Sequence, residues 1–295
     1  MKIKHFWLAL VSLFIISCAP ETSSFLGLDS TGGGNGNGGG TGSGGGTGTT
    51  GTKVLAKINT FDDNGDPFSF SFTYANKAIS KITTSDNSYI STISYNNGKI
   101  SKVVSVLVDA ETSEDITITS IVSYNATGNI AKVEATEVTK LSGTLINTTQ
   151  KVSTYVYNAA NQVAKVTQEY SMAGISTQTG IFEYTYSGKN LTKMVFTTKL
   201  SLGPIPDVIV TTNYSGYDNK ISPTSTLGNN YNEFSMSEKG LGVYGMSNNF
   251  TKVEMTESMM GTTTTETVSY TYDSQNYATS MTVSGEKSTF EYMSL

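Results

Sequence analysis

From Lys53 onward the chain alternates apolar and polar residues with a period of two. Phe68, Phe70, Phe72 and Tyr74 fall on one side of an extended segment, and Ser69, Ser71 and Thr73 on the other. Phe182, Tyr184 and Tyr186 oppose Glu183 and Thr185, and Val268, Tyr270 and Tyr272 oppose Ser269 and Thr271. Successive side chains of a strand point to opposite faces, so each segment reads as a strand with one apolar face. β-Branched and aromatic residues dominate, and no helix is predicted in this part of the chain. Asn64-Gly65 predicts a hairpin between Val54–Phe61 and Phe68–Tyr74. Asn97-Gly98, Thr127-Gly128 and Ser187-Gly188 supply the positive φ that other tight turns need. Segments 148–157 and 162–172 read as longer strands than the early ones. The fold class expected is all-β: an antiparallel β-meander of roughly 16 to 19 strands. A round barrel of that size would have a lumen too wide for side chains to fill, so the sheet should close or roll into a flattened, barrel-like or sandwich-like form.

The strands come as tandem hairpin repeats. A strand ends in tyrosine, a short turn follows, and the next strand opens with an aliphatic residue, a small residue and lysine. The copies are Tyr74…Ile79-Ser-Lys81, Tyr95…Ile100-Ser-Lys102, Tyr124…Ile130-Ala-Lys132, Tyr157…Val163-Ala-Lys165, Tyr186…Leu191-Thr-Lys193 and Tyr244…Phe250-Thr-Lys252. Degenerate copies begin at Tyr214 and Tyr272, and the key tyrosines lie 21 to 33 residues apart. That period suits two strands and two turns. Simple alternation fails at one place in each copy. Ile130 and Val133 are three apart, as are Val163 and Val166, so a flat strand would put them on opposite faces. A bulge or a wide twisted turn near each aliphatic residue would restore the phase.

The first residues follow another pattern. Lys2 and Lys4 precede an apolar run from Phe6 to Ile16, too short to span a bilayer but suited to a signal peptide. Ile15-Ile16-Ser17-Cys18 resembles the lipobox of bacterial lipoproteins, which implies cleavage before Cys18 and acylation of its thiol. More than one acyl chain gives stable membrane anchoring. Residues 18–52 would then be a lipidated cysteine and a Gly-rich flexible tether, and residues 53–295 a repetitive β domain. The Gly run lacks the Lys-Ser or Lys-Thr pair and the preceding strand of a phosphate loop.

Composition removes whole classes of chemistry. His5, Trp7 and Cys18 are the only residues of their kinds, and the first two fall in the segment expected to be removed. Histidine-based triads, histidine or cysteine zinc sites and disulfides within the mature chain are excluded. All 19 basic residues are lysine, against 24 acids. Without guanidinium groups and with a negative balance, nucleic acid is a poor partner.

Four features remain as candidate sites. Lys81, Lys102, Lys132, Lys165, Lys193 and Lys252 share one place in the repeat and would recur about 9.5 Å apart on alternate strands. Such a row could bind an anionic polymer such as an acidic glycan; the simpler account is a solvated position that resists edge-to-edge aggregation. The tyrosines could stack sugars, but more often pack in the core with the hydroxyl sent to solvent. Asp62, Asn64 and Asp66 have the alternate spacing of a calcium loop, yet Pro67 stands where glycine is expected and Thr73 where glutamate is, so an Asx-rich turn is the better account. Glu134/Glu137 and Glu254/Glu257 are available as carboxylate pairs, but residues three apart on a strand face opposite ways and cannot flank one bond. The acidic cluster at Asp109, Glu111, Glu114 and Asp115 falls at a predicted loop tip.

The Tyr-Asn/Asp-x-x-Gly-x-Ile-x-Lys-Val unit resembles the YD repeats of Rhs and teneurin-type proteins. With the lipobox and the Gly-rich tether, residues 53–295 are more similar to a Bacteroidetes lipoprotein family of unknown function that has a porin-like β fold. The repeats are longer than the usual YD spacing, and the expected Tyr-Asp and Gly-Arg are mostly Tyr-Asn and Gly-Lys or Gly-Asn. The resemblance implies that fold and brings no catalytic residues. The expected function is a non-catalytic, lipid-anchored cell-envelope protein with a binding or scaffolding role. It would need no cofactor, and its partners would be the membrane, a glycan or another envelope protein. The outer membrane is the expected location, on a face the sequence does not specify: Ala19 merely lacks the Asp that marks inner-membrane retention. The alternatives are a polysaccharide-acting enzyme using carboxylates alone, and a small outer-membrane barrel with its apolar face outward.

Overall fold

The computed structural model describes residues 53–62, 65–109, 112–201, 206–239, 246–259 and 261–295. The signal segment, Cys18 and the tether lie outside them. Sixteen strands form one closed antiparallel barrel in sequence order. They are β1 (Lys53–Phe61), β2 (Pro67–Ala75), β3 (Ala78–Thr84), β4 (Tyr89–Asn96), β5 (Lys99–Asp109), β6 (Glu114–Tyr124), β7 (Ile130–Leu141) and β8 (Thr144–Tyr157). Then come β9 (Val163–Met172), β10 (Ile175–Ser187), β11 (Asn190–Leu200), β12 (Val208–Ser215), β13 (Lys252–Glu257), β14 (Thr262–Tyr272), β15 (Ala278–Val283) and β16 (Glu286–Ser294). β8, at 14 residues, and β10, at 13, exceed the early strands in length.

The apolar face points inward. Phe70, Ile82, Ile93, Val103, Val122, Val133, Val166, Phe182 and Phe196 belong to one buried cluster, and Val268 is buried too. Outward positions are mostly hydroxylic or charged, as in Thr263, Thr265, Thr267, Ser269 and Thr271 of β14. Smaller inward residues, Ser91, Ser120, Ala135, Ser153 and Gly180, are buried as well. A round sixteen-stranded wall would leave such short side chains facing a wide lumen, so opposing walls must press together where they occur. A β-carbon at Gly180 would come within 3.3 Å of the Phe196 ring, a tight approach at an inward position.

The phase correction that the sequence demands recurs along the wall. In β3 the register passes from Thr73↔Lys81 to Tyr74↔Ile79, leaving Ser80 unpaired. The same one-residue bulge falls at Ser101, Ala131, Ala164, Thr192 and Thr279. It turns Ile79 and Ile82, or Ile130 and Val133, to the same inner face, and all four are buried. The bulged residue is always small, and the hydroxyls of Ser80, Ser101 and Thr192 each donate to the carbonyl of the residue before the repeat tyrosine.

Helix is present, contrary to the all-strand expectation. Between β12 and β13, a 3-10 turn (Thr224–Leu227) leads into α1 (Asn229–Lys239). The segment Asn-Asn-Tyr-Asn-Glu-Phe-Ser-Met is too polar to announce itself by composition. Yet Leu227, Tyr231 and Phe234 stand at i, i+4 and i+7 and are all buried, which is a helical period and not a strand period.

Candidate functional site

The two ends of the barrel differ. One end carries the turns that join β2 to β3, β4 to β5 and so on, the long β12–β13 connection, and the start of β1 beside the end of β16. Here the strands of successive hairpins part company. The ladder between β3 and β4 stops at Lys81↔Thr92, and that between β5 and β6 at Lys102↔Ile121. The carbonyl two residues before each lysine is thereby left without a strand partner, and the next repeat's tyrosine takes it. Tyr95 donates to Ile79 at 2.8 Å, Tyr124 to Ile100 at 2.9 Å, Tyr157 to Ile130 at 2.9 Å and Tyr186 to Val163 at 2.9 Å. The tyrosine hydroxyls are therefore turned into the wall and not to solvent. Burial holds them protonated, with the pKa of Tyr95 and of Tyr124 pushed up to about 12.

Two joints escape the sequence pattern. Tyr74 donates to Leu55, and Tyr292 to Ala278. Leu55-Ala56-Lys57 is itself a copy of the repeat's second half, with the bulge at Ala56, and it pairs with β16. An eighth repeat is thus split between the first and last strands, and their pairing closes the ring. A second repeat is split by insertion. Tyr217 donates to Leu191, and its partner half, Phe250-Thr251-Lys252, arrives only after residues 218–249. The copy expected at Tyr214 is a core position opposite Val253, and Tyr244 lies outside the described residues. What could have revealed Tyr217 is the unit it completes with Phe250, had an interruption inside one repeat been allowed.

That insertion crosses the mouth of the barrel and is fastened around its circumference. Leu55 donates its amide to Thr226 at 2.9 Å, Asn230 donates to the Gly98 carbonyl at 3.2 Å, and Asn190 and Asn248 bond each other. Tyr184 donates to Met236 at 3.2 Å. Glu233 accepts both the Tyr157 hydroxyl and the Ile130 amide, the latter at 3.1 Å. Its burial raises the carboxyl pKa, opposed by those two hydrogen bonds and by Lys99. Asp218 accepts from Tyr272, from the amides of Lys220 and Asn249, and from the Asn249 side chain. The result is a plug, with the aliphatic residues of the mouth sealed beneath it: Leu55, Ile79, Ile100, Ile130, Val163, Leu191 and Ala278 are at most 5% exposed.

Outside the same end runs the lysine row. Lys81, Lys102, Lys132, Lys165, Lys193 and Lys252 stand on alternate strands, point outward, and are joined by Lys57 of the split repeat. Together they form a girdle interrupted only on β15, where the place is Ser280. Lys132 and Lys252 pair with Glu134 and Glu254 on their own strands, at 2.8 Å and 3.6 Å. The other candidates do not converge on a site. Asp62 and Asp66 close the β1–β2 turn, with the Asp66 amide bonded to the Asp62 carboxylate at 2.9 Å, and Asn64 lies outside the described residues. Glu134 is exposed on the outer face, two ladder steps beyond its own repeat's bulge, and Glu137 stands on the other side of the same strand.

No protein-family model matches the chain, and no curated protein does. Among solved structures it is similar to a porin-like protein from Bacteroides vulgatus, with a TM-score of 0.55 at 11% identity over 83% of this chain and 100% of that one. A porin-like protein from Bacteroides uniformis is matched with a TM-score of 0.46 at 12% identity, over 81% of this chain and 98% of that one. The first likeness establishes the porin-like barrel fold.

Proposed function

We propose that this chain is a non-catalytic, lipid-anchored protein of the bacterial cell envelope, whose plugged barrel stands in water and serves a binding or scaffolding role. The observation that carries this reading is the distribution of side chains across the wall. A barrel that spans a bilayer needs an apolar outer band and tolerates a polar interior. Here the polarity is largely reversed: most aromatic and aliphatic residues point in, and threonine, serine, lysine and glutamate make up most of the outer face, with scattered apolar exceptions such as Ile121 and Val156. Hydrophobic burial is then satisfied inside, and the outer surface is suited to water. The lipobox at Cys18 supplies the membrane attachment that such a barrel cannot supply for itself.

The competing reading, an outer-membrane barrel, draws on the porin-like likeness. One experiment separates the two. Full-length protein and its Cys18→Ala variant are expressed in a bacterium fed labelled palmitate, and membranes are extracted without detergent. The proposal expects label on the wild type alone and release of the variant into the soluble fraction. A variant that stays in the membrane until detergent is added would establish the spanning barrel instead.

A further inference from the structure

The first described residue and most of the positive charge share one end of the barrel. β1 opens at Lys53, so the described chain enters the barrel at the plugged mouth. The girdle of seven lysines encircles the wall just below that mouth. A second tier, Lys53, Lys77, Lys99, Lys189 and Lys220, sits on the turns and strand ends of the mouth itself. Of the described acids in this half, Glu134, Glu254 and Asp273 are each paired with a lysine, and Glu233 and Asp218 are taken up by the plug. The opposite end is acidic. Its turns and strand ends carry Asp62, Asp66, Asp86, Glu114, Asp207 and Glu286 among others, against Lys140, Lys199 and Lys287. A negatively charged chain has thus gathered most of its lysine at the end where its anchor would lie.

We propose that the plugged mouth is a docking surface for anionic lipid headgroups, so that the protein rests mouth-down on the membrane that holds its anchor. The inference rests on the anchored reading above and deepens it by naming the surface that faces the bilayer. The geometry favours a plane over a thread. Lysines placed all round a barrel near one rim act together only against a flat sheet of charge lying across the barrel axis. A linear polyanion such as an acidic glycan would meet two or three of them at a time. Both tiers project from the last turns and ladder steps before the rim, within reach of the roughly 10 Å over which charge acts at moderate salt. The acidic far end is repelled by the same surface, which fixes the orientation as well as the contact.

The closed ring is built wholly from residues 53–294, so a chain beginning at Ala19 keeps every strand and the full tether while lacking the acylated cysteine. This chain is sedimented with vesicles of phosphatidylcholine alone and of equal parts phosphatidylcholine and phosphatidylglycerol. Partition onto the anionic vesicles should be at least about tenfold stronger and should fade with added salt. Replacing Lys57, Lys81, Lys102 and Lys193 by glutamine should remove most of that preference without changing the melting temperature. Replacing Lys140, Lys199 and Lys287 at the other end should leave it intact. Equal partition onto both vesicle types, or equal losses from the two sets of substitutions, overturns the proposal. So does binding to polygalacturonate without binding to vesicles, which would make the girdle a glycan site. Palmitate labelling at Cys18 is scored separately. Its absence with the vesicle preference intact rejects the anchor and retains the surface; its presence without the preference rejects the surface alone.

Discussion

At the scale of single residues, the repeat is a joint between hairpins. Its tyrosine supplies a donor to a carbonyl that the diverging strands leave unpaired, its aliphatic residue seals the mouth, and its small residue bulges outward so that both apolar neighbours turn in. Removing one hydroxyl should cost about what one buried hydrogen bond contributes. Tyr124→Phe is expected to lower stability by about 1 kcal/mol, read as an earlier urea midpoint with an unchanged slope. Glu233 gives a pH signature. Its carboxyl pKa is raised in the folded state above the 4.5 of an unperturbed glutamate. The native state therefore holds this proton more firmly than the unfolded chain does. The stabilisation is present below that range and is lost as pH rises through the raised native value. Glu233→Gln keeps an acceptor for Tyr157 and Ile130 but cannot ionise. Melting temperatures measured from pH 4 to pH 7 should show the wild type losing ground to this variant as pH rises; parallel curves would contradict the assignment.

At the scale of elements, α1 is a polar helix that stands only because a barrel surrounds it. Its apolar contribution is narrow, with Tyr231, Phe234 and Met236 buried and its polar groups bonded to the wall. Phe234→Ala should cost about 3 kcal/mol through the cavity it leaves and should raise binding of a hydrophobic dye at the loosened mouth. The helix also marks the limit of what the sequence discloses. Strand alternation, the turn at Asn97-Gly98 and the need for a recurrent bulge were legible because each is a local constraint: period, positive φ, and phase. α1 is not local. The 3-10 turn before it packs against β1 and α1 itself against β5, β7 and β9, and nothing within the segment requires its side chains to be buried. The seventh lysine, Lys57, was missed for a related reason. Its repeat has no tyrosine nearby in sequence, because Tyr292 arrives on the last strand. The joints made by the tyrosine hydroxyls could not be foreseen, since they depend on where neighbouring hairpins separate.

At the scale of the whole molecule, eight hairpin units form a ring, and one of them is shared between the ends of the chain. Lys53 lies opposite Ser294 where the other repeats have a turn. A circular permutant should exploit this. Linking Ser294 to Lys53 through Asn-Gly and opening the chain between Asn97 and Gly98 should give the same far-UV spectrum and a melting temperature within a few degrees of the parent, since the new termini fall in an exposed turn. The shared unit also governs assembly. β1 waits for a partner encoded more than two hundred positions later, and pairing over such separation is slow. Until Glu286–Ser294 is delivered, β1 and β15 each present a bare hydrogen-bonding edge, open to recruitment by a neighbouring molecule. A chain of this design therefore passes through its most aggregation-prone moment last, and any lesion that delays or shortens its final strand converts a closed barrel into an open, adhesive sheet.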